Sequence, residues 1–147
     1  MKNVDYSNIS NFNKMNSISE NTFVSHLGIK VTKISKNKCE AKMKISSKLM
    51  APNGFLHGGA VTSLADTTCG FGTMYHLQEK ETFATVELKI NFISTLKKGT
   101  LKCESSLVHK GKTLHVWDAK VVDERTSKII ALFRCTQIMI KLNNKEK

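Results

Sequence analysis

Proline is almost missing from this chain: Pro52 is the only one in 147 residues. Arginine is nearly as scarce, with Arg125 and Arg134 against 21 lysines. That scarcity weighs against a nucleic-acid binder despite a formal charge of +11, because bidentate phosphate and base contacts favour the guanidinium fork. The lysines are scattered along the whole sequence, and six of the first 21 residues are asparagine. This is a compositional bias more than a basic patch, although the charge still attracts a small anion. The longest apolar run, Ile129 to Phe133, is far too short to enter and cross a bilayer. Met1 to Ser19 is polar and lacks an apolar h-region, so no secretory signal is read and a cytoplasmic location is expected, organellar import left open. The four cysteines, Cys39, Cys69, Cys103 and Cys135, form no C-x-x-C pair, which speaks for reduced, buried thiols in an intracellular protein and against a zinc site. Neither G-x-S-x-G nor a P-loop is present.

What the chain does contain is one domain's worth of residues with 40% hydrophobic and 24% charged, enough for one core. Residues 1–25 read as a polar arm, partly disordered and then a weak amphipathic helix over 14–27 with Gly28 as its stop. Residues 26–141 read as the folded domain and 142–147 as a solvated tail. Within the domain, 29–34 and 38–45 alternate as strands around a Lys36-Asn37 turn. A helix follows, starting at Gly59-Ala60 and ending near Leu77 or Gln78. Its apolar stripe is Ala60, Val61, Leu64, Thr68, Phe71 and Tyr75. Four more strands come after it. Ala84, Val86, Leu88, Ile90 and Phe92 alternate with polar residues; 100–109, 113–123 and 128–141 follow across short lysine-glycine turns. The last is the most continuously apolar and is expected to be central and covered on both faces. Strands grouped around one helix make an α+β domain, an antiparallel sheet on a helix. The sheet's second face is expected to meet another subunit.

The chemistry concentrates in residues 51–75. His57-Gly58-Gly59 stands where the helix begins, where backbone N–H groups lack partners and the helix dipole is positive. Such donors can form an oxyanion hole, and glycine lets a carbonyl approach; a plain tight turn is the competing reading. Asp66 is the one charged residue from Ala60 to Tyr75. It shares its side of the helix with the small residues Thr62, Cys69 and Thr73. A covered carboxylate there is a candidate base or nucleophile, against the alternative of a lone solvent-exposed aspartate. His57 could serve as base, ligand or helix-start residue; with no second ligand at suitable spacing a metal role is not expected. Phe55, Leu56, Met74 and Leu77 could line an apolar pocket, or simply pack in the core.

The segment 51–70, Ala-Pro-Asn-Gly-Phe-Leu-His-Gly-Gly-Ala-Val-Thr-Ser-Leu-Ala-Asp-Thr-Thr-Cys-Gly, resembles the signature of the PaaI-type hotdog-fold acyl-CoA thioesterases. Residues 84–94, 116–119 and 131–137 are similar to the same family. The resemblance implies a hotdog fold, a long helix wrapped by a curved antiparallel sheet, and hydrolysis of a CoA thioester with neither metal nor organic cofactor. By position it implies that Gly58 polarises the thioester carbonyl and that Asp66 attacks it or activates water. It also implies that Thr85 assists with a hydroxyl, and that Asn53 and His57 line the thioester. Relatives often hold an amide six residues before the histidine, where this chain has Ala51; Asn53 is the substitute on offer. Gly59 and Phe55 are candidate substrate contacts at the same site. Lys97, Lys98, Lys110, Gly111 and Lys112, in two turns, are candidate contacts for CoA phosphates. The family implies homodimers with shared sites, often paired into homotetramers. Gly58 and Asp66 are about 12 Å apart along one helix at 1.5 Å per residue, which likewise calls for a second chain. A non-catalytic binder of acyl-CoA or acyl-carrier protein on this fold, and a hotdog dehydratase, are the alternatives.

Overall fold

A computed structural model describes residue 9 and residues 11–142, so most of the leading arm and the tail beyond Leu142 lie outside it. The alternating segments build the sheet. β1 (Ile29–Ser35) and β2 (Lys38–Lys44) form a hairpin over the Lys36-Asn37 turn. β4 (Thr100–Lys110), β5 (Leu114–Asp123) and β6 (Ile129–Lys141) run as an antiparallel meander beside β2. β3 (Glu81–Phe92) pairs with β6 at the far edge, giving the order β1-β2-β4-β5-β6-β3. The chain reaches that edge by way of α3 (Gly58–Met74), which crosses the sheet's inner face. This is the expected hotdog arrangement.

Inward-facing residues of four strands meet α3. Met43, Leu101, Cys103, Trp117, Val121, Ala131, Phe133 and Cys135 pack with Val61, Leu64, Ala65 and Cys69 in one buried cluster. Each large apolar side chain so buried stabilises the fold by about 1.5–3 kcal/mol. The outer face carries several of the lysines. Lys102 bonds Glu40 and Glu104 at 3.0 and 2.8 Å, Lys42 pairs with Glu124, and Arg134 grips both oxygens of Asp118 at 2.5 and 2.7 Å.

Four expectations change. The segment 14–27 is two short helices, α1 (Phe12–Ile18) and α2 (Phe23–His26), because Asn21 takes a left-handed φ of 60° between them. Within the arm, Ile9 and Met15 are fully buried and form a second cluster with Val31, Cys39 and Phe71. α3 ends at Met74, short of Leu77, where bonds from His76 to Thr73 and from Leu77 to Met74 tighten the chain out of α geometry. β6 is not covered on both faces: it lies one strand from the edge, and Leu132 and Arg134 point outward and exposed. Of its apolar residues, Ile130, Ala131, Phe133 and Cys135 pack in the core, while Leu132 and Ile140 are exposed.

Candidate active site

The loop before α3 sets the site's first half. Ala51 N–H donates to Phe55 O at 2.7 Å, Gly54 N–H to Ala51 O at 2.9 Å, and His57 N–H to Leu49 O at 2.9 Å. Asn53 Oδ1 accepts from Phe55 N–H at 3.2 Å, so this amide holds the loop's own turn. His57 is the N-cap of α3: its Nδ1 accepts from Gly59 N–H at 2.8 Å. That contact puts the ring proton of the neutral imidazole on Nε2. Ala60 N–H bonds His57 O at 3.0 Å. Gly58 N–H has no acceptor among the described residues, so it is the donor left over at the positive end of the helix. A Cβ at Gly58 would stand 2.9 Å from the Phe92 ring; glycine is what lets β3's end close over the helix start.

Asp66 forms the second half. The open stripe of α3 is Gly59, Thr62, Ser63, Asp66 and Thr67, all small or short. Cys69 and Thr73, expected on this side, are instead fully buried, because the sheet curls around the last turns of the helix. Asp66 Oδ1 accepts from Thr85 Oγ1 at 2.9 Å, and Thr85 Oγ1 accepts from Gln137 Nε2 at 3.2 Å. Burial pushes the Asp66 carboxyl above the ordinary carboxylate range, and the bond from Thr85 pulls it part of the way back. Gln137 is fully buried, and its Oε1 has no hydrogen-bond partner among the described residues. A buried carbonyl without a partner costs about 1–3 kcal/mol.

A β-bulge explains Thr85. Strict alternation would send it outward with Glu87, Lys89 and Asn91. In the β3–β6 ladder, Thr85 faces Gln137 and Leu88 faces Cys135, with an extra residue on β3 between them. Thr85 and the set Leu88, Ile90, Phe92 therefore share the inner side, the sort of re-aiming bulges perform beside active sites.

The other candidates separate. Lys97 stands over Phe55, 5.9 Å from the ring centroid, at the helix-start end; Lys98 is beside it in the same exposed turn. Lys110, Gly111 and Lys112 lie at the opposite end, where Gly111 abuts His109 and Lys110 acts on His76 and His115. α3 spans about 25 Å, and the two lysine turns stand at its opposite ends. Leu56 and Leu77 are buried at opposite ends of α3, which removes the four-residue apolar pocket. Gln137 is the site residue that periodicity left without a role; a single amide among Phe133, Cys135 and Ile138 was its signal. Among the described residues, no three His, Cys, Asp or Glu side chains gather as a metal site would need, and no helix is long and apolar enough to cross a membrane.

Residues 53–130 match the thioesterase superfamily. The chain is 32% identical to the proofreading thioesterase EntH of Klebsiella pneumoniae over 111 residues, 76% of this chain and 81% of that one. It is 29% identical over 119 residues to a 1,4-dihydroxy-2-naphthoyl-CoA hydrolase of Listeria monocytogenes, covering 81% and 95%. The crystal structure of a thioesterase from Haemophilus influenzae superposes with a TM-score of 0.86 at 26% identity, covering 93% of this chain and 95% of its own.

Proposed function

Since this chain belongs to the thioesterase superfamily, we propose that it hydrolyses acyl-CoA thioesters to free acid and CoA at sites shared between two copies. The observation that carries the reading is the pairing of a free Gly58 N–H at the helix start with a half-buried Asp66 held by Thr85. A thioester carbonyl set against Gly58 N–H gains a fixed donor as its oxygen becomes negative. Asp66 then either attacks the carbonyl carbon, giving a mixed anhydride that water cleaves, or takes a proton from the attacking water. In both routes the thiolate of CoA leaves. His57 Nε2–H and Asn53 border the carbonyl, and Phe55 with Lys97 and Lys98 offers a flat ring and two cations to the CoA end. Similarity to a hydrolase of an acyl-CoA supports the substrate class.

The 12 Å between Gly58 and Asp66 exceeds the roughly 3–3.5 Å that attack requires, so each carbonyl meets Gly58 of one chain and Asp66 of the other. Among the described residues β3 is an edge strand without a partner on its outer side. Val86, Leu88, Phe92 and Ile93 on and beside it are 56, 42, 53 and 59% exposed. Such an edge is normally covered in a soluble protein, and a second copy's β3 covers it while laying the two α3 stripes side by side. The experiment is thiol release from a panel of acyl-CoAs. Wild type is expected to turn over at least one, and Asp66→Asn to bind it while losing at least about 10² in turnover. Equal turnover by the two proteins would refute the mechanism.

A further inference from the structure

We infer that Gln137 is a positioning residue for Asp66, acting through the Thr85 hydroxyl; the inference rests on the reading of Asp66 as the reactive carboxylate. The three side chains form one directed chain from β6 to β3 to α3. A hydroxyl has one proton. Gln137 Nε2 donates to Thr85 Oγ1 at 3.2 Å, and an NH₂ group can only donate. The Thr85 proton is thereby left to Asp66 Oδ1, 2.9 Å away. Thr85 and Gln137 are directly opposed in the β3–β6 register, and the bulge just after Thr85 keeps both on the inner side. Three elements far apart in sequence thus agree on one geometry.

The state of Gln137 argues for a task at the site over one in the core. Its side chain is fully buried, yet Oε1 finds no partner among the described residues. An apolar residue there would leave nothing unpaired. Residues that weaken a core yet persist in it collect around reactive groups. The amide also lies close to Gly70, one turn beyond Asp66: a Cβ there would stand 3.8 Å from Gln137 Nε2 and 3.2 Å from the Phe83 ring. Helix, amide and ring therefore close over the same spot. The titratable group coupled to Asp66 is the Cys69 thiol on α3, itself bonded to Cys135 of β6; burial pushes the Cys69 thiol well above its ordinary range, so it stays neutral when Asp66 titrates.

Gln137→Leu, Thr85→Val and the double variant test this. In Gln137→Leu, kcat should fall about tenfold with KM within about twofold. The acid limb of the pH–rate profile should move to higher pH, since the carboxylate has lost an oriented donor. In the Thr85→Val background the same change should cost nothing further, because the route to Asp66 is already cut. Thermal stability of Gln137→Leu should equal or exceed wild type; if that variant fails to fold, Gln137→Met takes its place in every arm. The carboxyl carbon of Asp66, followed by NMR against pH, gives a readout that needs no turnover, and its midpoint should rise in Gln137→Leu. If that midpoint and kcat are both unchanged, or if kcat falls as far in the Thr85→Val background, the inference is overturned. If the midpoint rises while wild type itself releases no thiol, the positioning role stands and hydrolysis is what fails.

Discussion

A carboxylate half removed from water works against the fold that holds it whenever it is ionised. Asp66 has a native pKa raised by burial above its ordinary value of 3.8. Between the unfolded and native values the folded state binds more protons, so this residue's contribution to stability falls as pH rises through that window. Asp66→Asn removes the penalty. Its unfolding midpoint should exceed that of wild type at pH 7, the gap closing as pH is lowered through that window towards 3.8. Thermal scans across pH check this, and a variant less stable than wild type at pH 7 would contradict it. Gly58 allows a sharper test. It is the first helical residue, a position that tolerates proline, and the extended His57 before it, ψ 128°, suits a following proline. Gly58→Pro deletes the N–H; Gly58→Ala keeps it while adding the same Cβ against Phe92. The proline variant should lose about 10²–10³ in kcat and the alanine variant about tenfold or less. Equal losses would assign the effect to crowding at Phe92.

Among the elements, the central helix and six strands were readable because each has one clear period and short polar turns. β3 was readable from Ala84 onward, although the strand begins at Glu81, but its facing was not. Its pattern continues smoothly from Ala84 to Phe92 with no glycine to mark the bulge, so sequence put Thr85 outward, while the resemblance gave it a place in the site. The β3–β6 register resolves that conflict. The helix's far half was misread for a related reason. Cys69 and Thr73 share Asp66's side on a helical wheel, but a curled sheet buries more of a helix than one stripe and takes them into the core. Thr73 there accepts from Trp117 Nε1 at 2.8 Å and meets His115 Nδ1 at 3.3 Å. Burial, with the nearby His76 and Lys110 charges, lowers His115 to about 4 from 6.5. Its native pKa lies below the unfolded one, so the unfolded chain binds more protons between those values and stability falls as pH drops from 6.5 to about 4. Denaturant midpoints measured over that range should show the slope, and His115→Gln should flatten it. An unchanged slope in the variant would place its origin elsewhere.

For the molecule as a whole, part of the lysine bias resolves into an outer sheet face laced with cross-strand pairs such as Lys102–Glu40 and Lys120–Glu104. That is why the charge carried so little information about function. The site's two halves were legible as residues, Gly58 and Asp66, because helix start and lone carboxylate are sequence features. Gln137's connection to them was not, because it depends on which strand lies beside β3. The proposed shared site makes the most direct demand on the account. Asp66→Asn and Gly58→Pro homodimers should each be nearly inactive. Refolded together in equal amounts, they give about half heterodimers, each with one intact site and one doubly damaged site. The mixture should recover about a quarter of wild-type activity per total protein. If heterodimers form and the mixture stays as inactive as its parents, Gly58 and Asp66 of different chains do not share a site, and the account is wrong.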